Sequence, residues 1–446
     1  MEMNAGVISL IGIFLGLFVL MFLVTKGTKV LLAAPAASLV VLILSGQPLI
    51  DGIITTYATS LGNYMKNNML MFMAGCVFGT MMGECGAAQD IAVHLTGLID
   101  KANVKNKQFL ALVVLSMIFM LMNYGGINSS VIIFTMLPFC KRIFNRYNIP
   151  WHLYLAIQSL GSLATESMFP GTTALVNVIP MDYLGTTSMA GAKMGSITAV
   201  ICIAAAVTYI YVSLTRCVKA GEGFMETGAV IYETIQEEDQ TMGTKKTGSL
   251  AKALFAPIVV LLIFNIFNLN AVVTLAFGTL LVVILYFKEF AHLQKSLNTS
   301  ATNGARIAAN IASIVGFGGV VAASPAYDLV LNGLQSLPGS PLIQLVIAIN
   351  AVSAITGSAS GGISIALETL GDHFLSLGIP PEVIHRVSSI ASMGFDSMPH
   401  NGSVSNQMEM TKLTYAQGYK HIFIIACLLP FLGGFIAVGL YYMGIV

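Results

Sequence analysis

Twelve apolar runs occupy most of the chain, and four of them are interrupted by short polar, glycine-bearing stretches. A bilayer core about 30 Å thick is crossed by about 20 apolar residues in a helix. Runs of that order lie near 5–24, 28–46, 70–98, 108–140, 151–179, 190–214, 253–267, 271–287, 305–333, 342–377, 383–411 and 421–443. Charged residues are only 9% of the chain and apolar residues 56%. A soluble domain carries about 25% charged residues. The sequence therefore specifies an all-α polytopic membrane protein. The run at 5–24 follows Glu2 rather than a basic segment, so it reads as a transmembrane helix and not as a signal peptide.

Two runs cannot be simple spans. The run 108–140 is flanked by Lys101, Lys105 and Lys107 before it and by Lys141, Arg142 and Arg146 after it. Basic residues favour the cytoplasm, so both its ends belong there. Its middle, 123–130, is polar and contains glycine, as expected of a re-entrant hairpin. The run 342–377 has the same form, with its break at 356–362. Reading both as hairpins puts 18 of the 21 basic residues on the cytoplasmic side. Lys66, Lys193 and Arg386 are the three exceptions, and Arg386 is expected to snorkel to the outer interface. Both termini then lie outside. The one long polar segment, 215–252, reads as a cytoplasmic linker between two halves, 1–214 and 253–446.

The halves resemble each other. With an offset of 230, Pro150 meets Pro380, Glu166 meets Asp396, Ser167 meets Ser397 and Met168 meets Met398. Each of these segments follows a hairpin, and a second match sets Phe78, Gly79 and Asp90 beside Phe317, Gly318 and Asp328. The hairpins enter from opposite sides, so the repeats are inverted. Each holds five membrane-spanning helices, one of them broken (151–179 and 383–411), and one hairpin. Inverted repeats with broken helices build secondary transporters, with the site near the bilayer midplane.

Broken helices at membrane depth must be buried in protein or line a wet cavity. Their N-termini expose N–H groups that bind carboxylates without a lysine. Candidate substrate-binding residues at the first half's breaks are Asn123, Gly126, Asn128, Ser129, Ser130, Thr172 and Thr173. Those at the second half's breaks are Thr356, Gly357, Ser358, Ser360, Gly361, His400, Asn401, Gly402 and Ser403. For any single hydroxyl the competing reading is a bond back to its own helix. Glu166 and Asp396 are the sharpest candidates, because an acid at a helix centre costs about 2.5–3.5 kcal/mol on insertion. With Ser167 and Ser397 they are assigned to the coupling ion, as proton carriers or Na⁺ ligands. Capping of the broken helix by the acid is the alternative. Asp90 and Asp328 lie near span ends and are assigned scaffold roles.

The six cysteines form no C-x-x-C pair and mostly lie in apolar runs, so they read as small buried hydrophobes. No phosphate-binding loop, H-E-x-x-H or G-x-S-x-G motif occurs. Neither a cofactor nor a metal is expected, and a net charge of +1 gives no ground for a nucleic-acid partner.

The stretches Ala309–Ser324, Thr356–Ile363 and Ile390–Gly402 resemble the gluconate permease (GntP) family, in particular its 3-hydroxybutyrate-permease-like branch. The run Asp396–Gly402 is the most specific part. The resemblance implies uptake of a small hydroxy-monocarboxylate such as 3-hydroxybutyrate or gluconate, by proton symport across the inner membrane. It also implies membership of the wider ion-transporter superfamily. From that follow a homodimer built through a scaffold domain and a transport domain that moves like an elevator. A Na⁺-coupled di- or monocarboxylate carrier of the same superfamily is the second expectation. A channel or membrane enzyme is the third, and lacks a matching constellation of residues.

Overall fold

The computed structural model describes residues 2–26, 28–124, 129–172, 174–242, 248–267, 271–326 and 340–446. Among these residues there are helices and turns and no strand. In the first half, α1 (Glu2–Thr25), α2 (Val30–Leu44) and α3 (Leu49–Glu84) lead into α4 (Ala87–Lys101). The helices α5 (Lys107–Tyr124) and α6 (Ser129–Arg146) follow. Then come α7 (Leu153–Leu163), α8 (Leu175–Leu184) and α9 (Ala192–Lys219). The helix α10 (Phe224–Met242) leads to the second half. That half contains α11 (Leu250–Phe267), α12 (Ala271–Leu285), α13 (Leu293–Ala322), α14 (Pro341–Thr356) and α15 (Ala359–Ser376). It ends with α16 (Pro381–Ser392), α17 (Gly402–Thr411) and α18 (Tyr415–Tyr442).

Two expected spans have different bounds. The run 70–98 is not one helix: α3 begins at Leu49, and the chain bends by 66° into α4. Gly86, at φ +82°, makes the bend, a conformation that costs any residue with a Cβ. The run 305–333 begins earlier, since α13 starts at Leu293 and ends at Ala322. Its polar first turns are largely exposed, with Ser296 and Ser300 on the buried face. The segment 215–252 is ordered over α10, which packs against α6. There Glu238 accepts from Lys141 Nζ at 2.6 Å and from Arg142 Nη2 at 3.0 Å.

The longest packing contact joins α3 to α13. Gly304 lets them approach, since a Cβ there would sit 2.6 Å from the Phe72 carbonyl oxygen. Around this pair, α1 packs on α2 and α11 on α12, while α2 lies on α13 and α12 on α3. In the other group α5 packs on α7 and α14 on α16, α7 on α9 and α16 on α18, and α9 on α18.

Arg386 does not snorkel. It is wholly buried (0% exposed) on α16. Nε and Nη2 donate to the Ala190 carbonyl at 2.9 and 2.7 Å, and Nη1 donates to Ser167 O at 2.9 Å. A Cβ at Gly195 would lie 2.9 Å from Arg386 Cδ, so that glycine leaves the passage for the side chain. Beside it His385 Nε2 meets Asn177 Oδ1 at 3.1 Å and Nδ1 meets Thr186 Oγ1 at 2.7 Å. The reason for burial is that the break at Ser167 and the turn at Ala190 present carbonyls with no helical partner. A guanidinium can serve them in three directions.

Arg386→Lys retains the charge but cannot reach all of these oxygens. Hydrogen bonds to a charged group are worth about 1.5–3 kcal/mol each. The variant should unfold in detergent at a clearly lower temperature than wild type, by at least about 3 kcal/mol at the transition. Equal thermal stability would contradict the clamp.

Candidate functional site

Both breaks border a cavity of about 870 Å³. The sequence-derived candidates Asn123, Glu166, Gly357, Ser358, Ser360, Asp396, His400, Asn401, Gly402 and Ser403 all line it. Residues 279 positions apart, from Asn123 to Gly402, are thus brought to one wall.

Two helix N-termini open into this space. At the start of α15, the Ser358 hydroxyl accepts from Gly361 N–H at 3.1 Å, while Ser358, Ala359 and Ser360 line the cavity. At the start of α17, Asn401 Oδ1 accepts from Ser403 N–H at 2.6 Å and Val404 N–H at 3.2 Å. Asn401 Nδ2 also donates to the Asp396 carbonyl at 3.0 Å, which closes the break onto the cap. The positive ends of two helix dipoles therefore meet at one place.

Against them stand two acids. Asp396 is buried and its Oδ1 accepts from Ser397 Oγ at 2.9 Å. Glu166 is half-buried on the opposite break, and the two carboxylates lie within electrostatic reach of each other. His400 is buried, with its ring edge-on to Phe317 at 6.2 Å between centroids. Gly357 makes room for that ring: it sits at φ +59°, and a Cβ there would come 2.7 Å from His400 Cδ2.

Other candidates are placed differently. Thr172 is wholly buried outside the cavity lining, and its Oγ1 accepts from Ala174 N–H at 3.3 Å, so it serves the break's own backbone. Ser167 is buried and contributes its carbonyl to Arg386. Gly361 gives its N–H to the Ser358 cap and is not on the wall. Ser397 touches the site through Asp396, and its carbonyl accepts from Tyr419 OH at 3.1 Å. Gly126, Asn128 and Thr173 lie outside the described residues, as do the side chains of Ser129, Ser130 and Thr356. Asp90 accepts from Gly248 N–H at 2.7 Å, and Asp328 lies outside the described residues.

One wall is absent from the sequence reading. Ser60, Asn63, Tyr64, Asn67 and Asn68 of α3 line the cavity opposite the breaks. Ser60, Asn63 and Asn67 recur at helical spacing and fall on one face. That periodicity was the available signal, but the run placed at 70–98 left them outside any helix. Gly318 and Gly319 of α13 complete this side.

Gly357→Ala should destabilise the hairpin tip by about 1–2 kcal/mol from backbone conformation alone. The displaced His400 ring adds to that. Gly361→Ala, whose added Cβ would meet only Ser358 at 3.3 Å or more, is the control. Thermal unfolding in detergent should separate the two variants, and equal midpoints would contradict the packing.

The sequence profile of the GntP family permease matches residues 8–285. The chain is also similar to the uncharacterized transporter YxjC of Bacillus subtilis (strain 168), at 28% identity over 460 residues. That alignment covers 94% of this chain and 95% of the Bacillus protein. The profile match falls mainly in the first half, whereas the stretches that carry the resemblance read from sequence lie in the second. With a cavity built from broken helices and a profile match over more than half its length, the chain belongs to the GntP permease family and is a multi-pass membrane transporter.

Proposed function

We propose that the chain is a secondary active transporter importing a small hydroxy-monocarboxylate such as 3-hydroxybutyrate or gluconate together with a proton. The observation that carries the proposal is the meeting of two helix N-termini with Glu166 and Asp396 in one cavity. The N-termini attract a carboxylate. Two ionised acids beside it would repel the same carboxylate at low dielectric. Loading an anion there is favourable when a cation arrives with it, on one of the acids. The amides Asn63, Asn67, Asn123 and Asn401 and the hydroxyls Ser60, Ser358, Ser360 and Ser403 suit the hydroxyl groups of the substrate. No lysine or arginine is among the described residues on the wall, which suits a single carboxylate better than two.

In this proposal the halves are inverted repeats and the motion is of elevator type. The packing supports the first point. Each contact of α1–α2, α2–α13, α5–α7, α7–α9 and α6–α17 has its counterpart in α11–α12, α12–α3, α14–α16, α16–α18 and α15–α8. The pairs α3–α13 and α9–α18 are each their own counterpart. The helices around α3 and α13 would form the scaffold and a homodimer interface. Those carrying the hairpins and breaks would form the moving domain. Residues 215–252 would be cytoplasmic and both termini outside, in the inner membrane.

Purified protein in proteoliposomes should accumulate labelled 3-hydroxybutyrate or gluconate when an inward proton gradient is imposed. Asp396→Asn and Glu166→Gln should reduce that accumulation to background while the protein stays folded. Accumulation driven by Na⁺ alone would replace the proton with Na⁺. Full uptake by both variants would remove the acids from coupling.

A further inference from the structure

Away from the cavity, three ligand-type atoms converge where α9 ends and α7 begins. Cys217 lies in the last turn of α9, Glu222 in the turn that follows, and His152 immediately precedes α7. His152 Nε2 is 3.7 Å from Cys217 Sγ and 3.8 Å from Glu222 Oε2, and all three atoms lie within 4.8 Å of one another. From this geometry we infer a binding site for one zinc-type divalent cation, held by His152 Nε2, Cys217 Sγ and a Glu222 carboxylate oxygen.

The distances fit. Zinc takes nitrogen and oxygen at about 2.0–2.2 Å and thiolate sulfur at about 2.3 Å, in a tetrahedron. The edges between such ligands are about 3.3–3.7 Å. Two of the three edges already stand near that value. The remaining adjustment falls to Glu222, whose side chain is 47% exposed and can swing inward, and which also gives the ion its route from solvent. The fourth position is left to water.

The surroundings of His152 are those a metal-bound histidine requires. Its other nitrogen, Nδ1, is 2.7 Å from His421 Nε2, and His421 Nδ1 is 2.9 Å from the Tyr209 hydroxyl. The chain His152–His421–Tyr209 runs in one direction if His152 carries its proton on Nδ1. Nε2 then presents its lone pair to Cys217 and Glu222. An outer partner of this kind fixes the tautomer and orientation of a ligating histidine. His152 and His421 lie parallel, 5° apart with centroids 4.8 Å apart, which restrains the ring further. Binding displaces the thiol proton of Cys217 to solvent. The resulting thiolate and carboxylate balance the charge of the ion, while Lys420 nearby opposes it. The ion would join the start of α7 to the α9–α10 connection, and through His421 to α18.

The test is titration of the purified, chelator-stripped full chain in detergent with Co²⁺. Expected are tetrahedral visible bands and a thiolate-to-cobalt charge-transfer band, both displaced by Zn²⁺. Cys217→Ser should lose the charge-transfer band, whereas Cys202→Ser, a buried cysteine on the same helix, should keep it. His421→Ala should weaken affinity by about 10–100-fold with the band intact. Glu222→Ala, at an exposed position that leaves folding unaffected, should weaken binding at least as much. A wild-type chain with no charge-transfer band overturns the site, leaving a thiol–imidazole hydrogen bond in its place. A band that survives Cys217→Ser, or unchanged affinity in Glu222→Ala, overturns it equally.

Discussion

A helix that stops partway through a membrane leaves backbone carbonyl and N–H groups where water cannot reach them, and every such group needs a partner. The structure meets this demand with side chains. At the first break Arg386 takes the Ser167 carbonyl, Tyr124 OH takes Pro170 O at 3.1 Å, and Asn177 Nδ2 takes Thr172 O at 2.9 Å. At the second break Asn401 takes Asp396 O, Tyr419 takes Ser397 O, and Tyr415 OH takes Pro399 O at 3.0 Å. The donors come from helices other than the broken one, or from the far side of the break. Opening a helix therefore obliges its neighbours to pack in one arrangement.

This obligation also shapes the cavity. Once the carbonyls are tied from behind, the capped starts of α15 and α17 border the space between the breaks. Arg386 and His385 hold the first-half break against the second-half helix α16, so the two sides of the site cannot drift apart independently. The site's chemistry thus rests on a buried arginine that does not line it.

Much of this organisation is legible in the sequence. Glycine and polar residues inside apolar runs mark the breaks, because nothing in a plain transmembrane helix calls for them. The pairing of Glu166 with Asp396 by offset points to the carboxylates that the structure sets in one cavity. Arg386 is misread because its position near a span end is all that sequence displays. The carbonyls that hold it come from residues 167 and 190, about 200 positions away. Asn63 and Asn67 are missed for a related reason. A polar, exposed helix face is tolerated where it borders an open cavity, and hydropathy alone does not mark it as helix.

The sequence by itself determined the membrane class, the polar breaks in the apolar runs and the two acids beside them. Each of these is a local departure from an apolar run, and its cost in lipid is set by residue type and depth. Only the tertiary structure decided which break faces which, that Arg386 is a buried clamp, and that an asparagine face of α3 closes the cavity. It alone also brought His152, Cys217 and Glu222 within 4.8 Å. Those outcomes depend on which distant backbone groups need partners, and helix packing sets that.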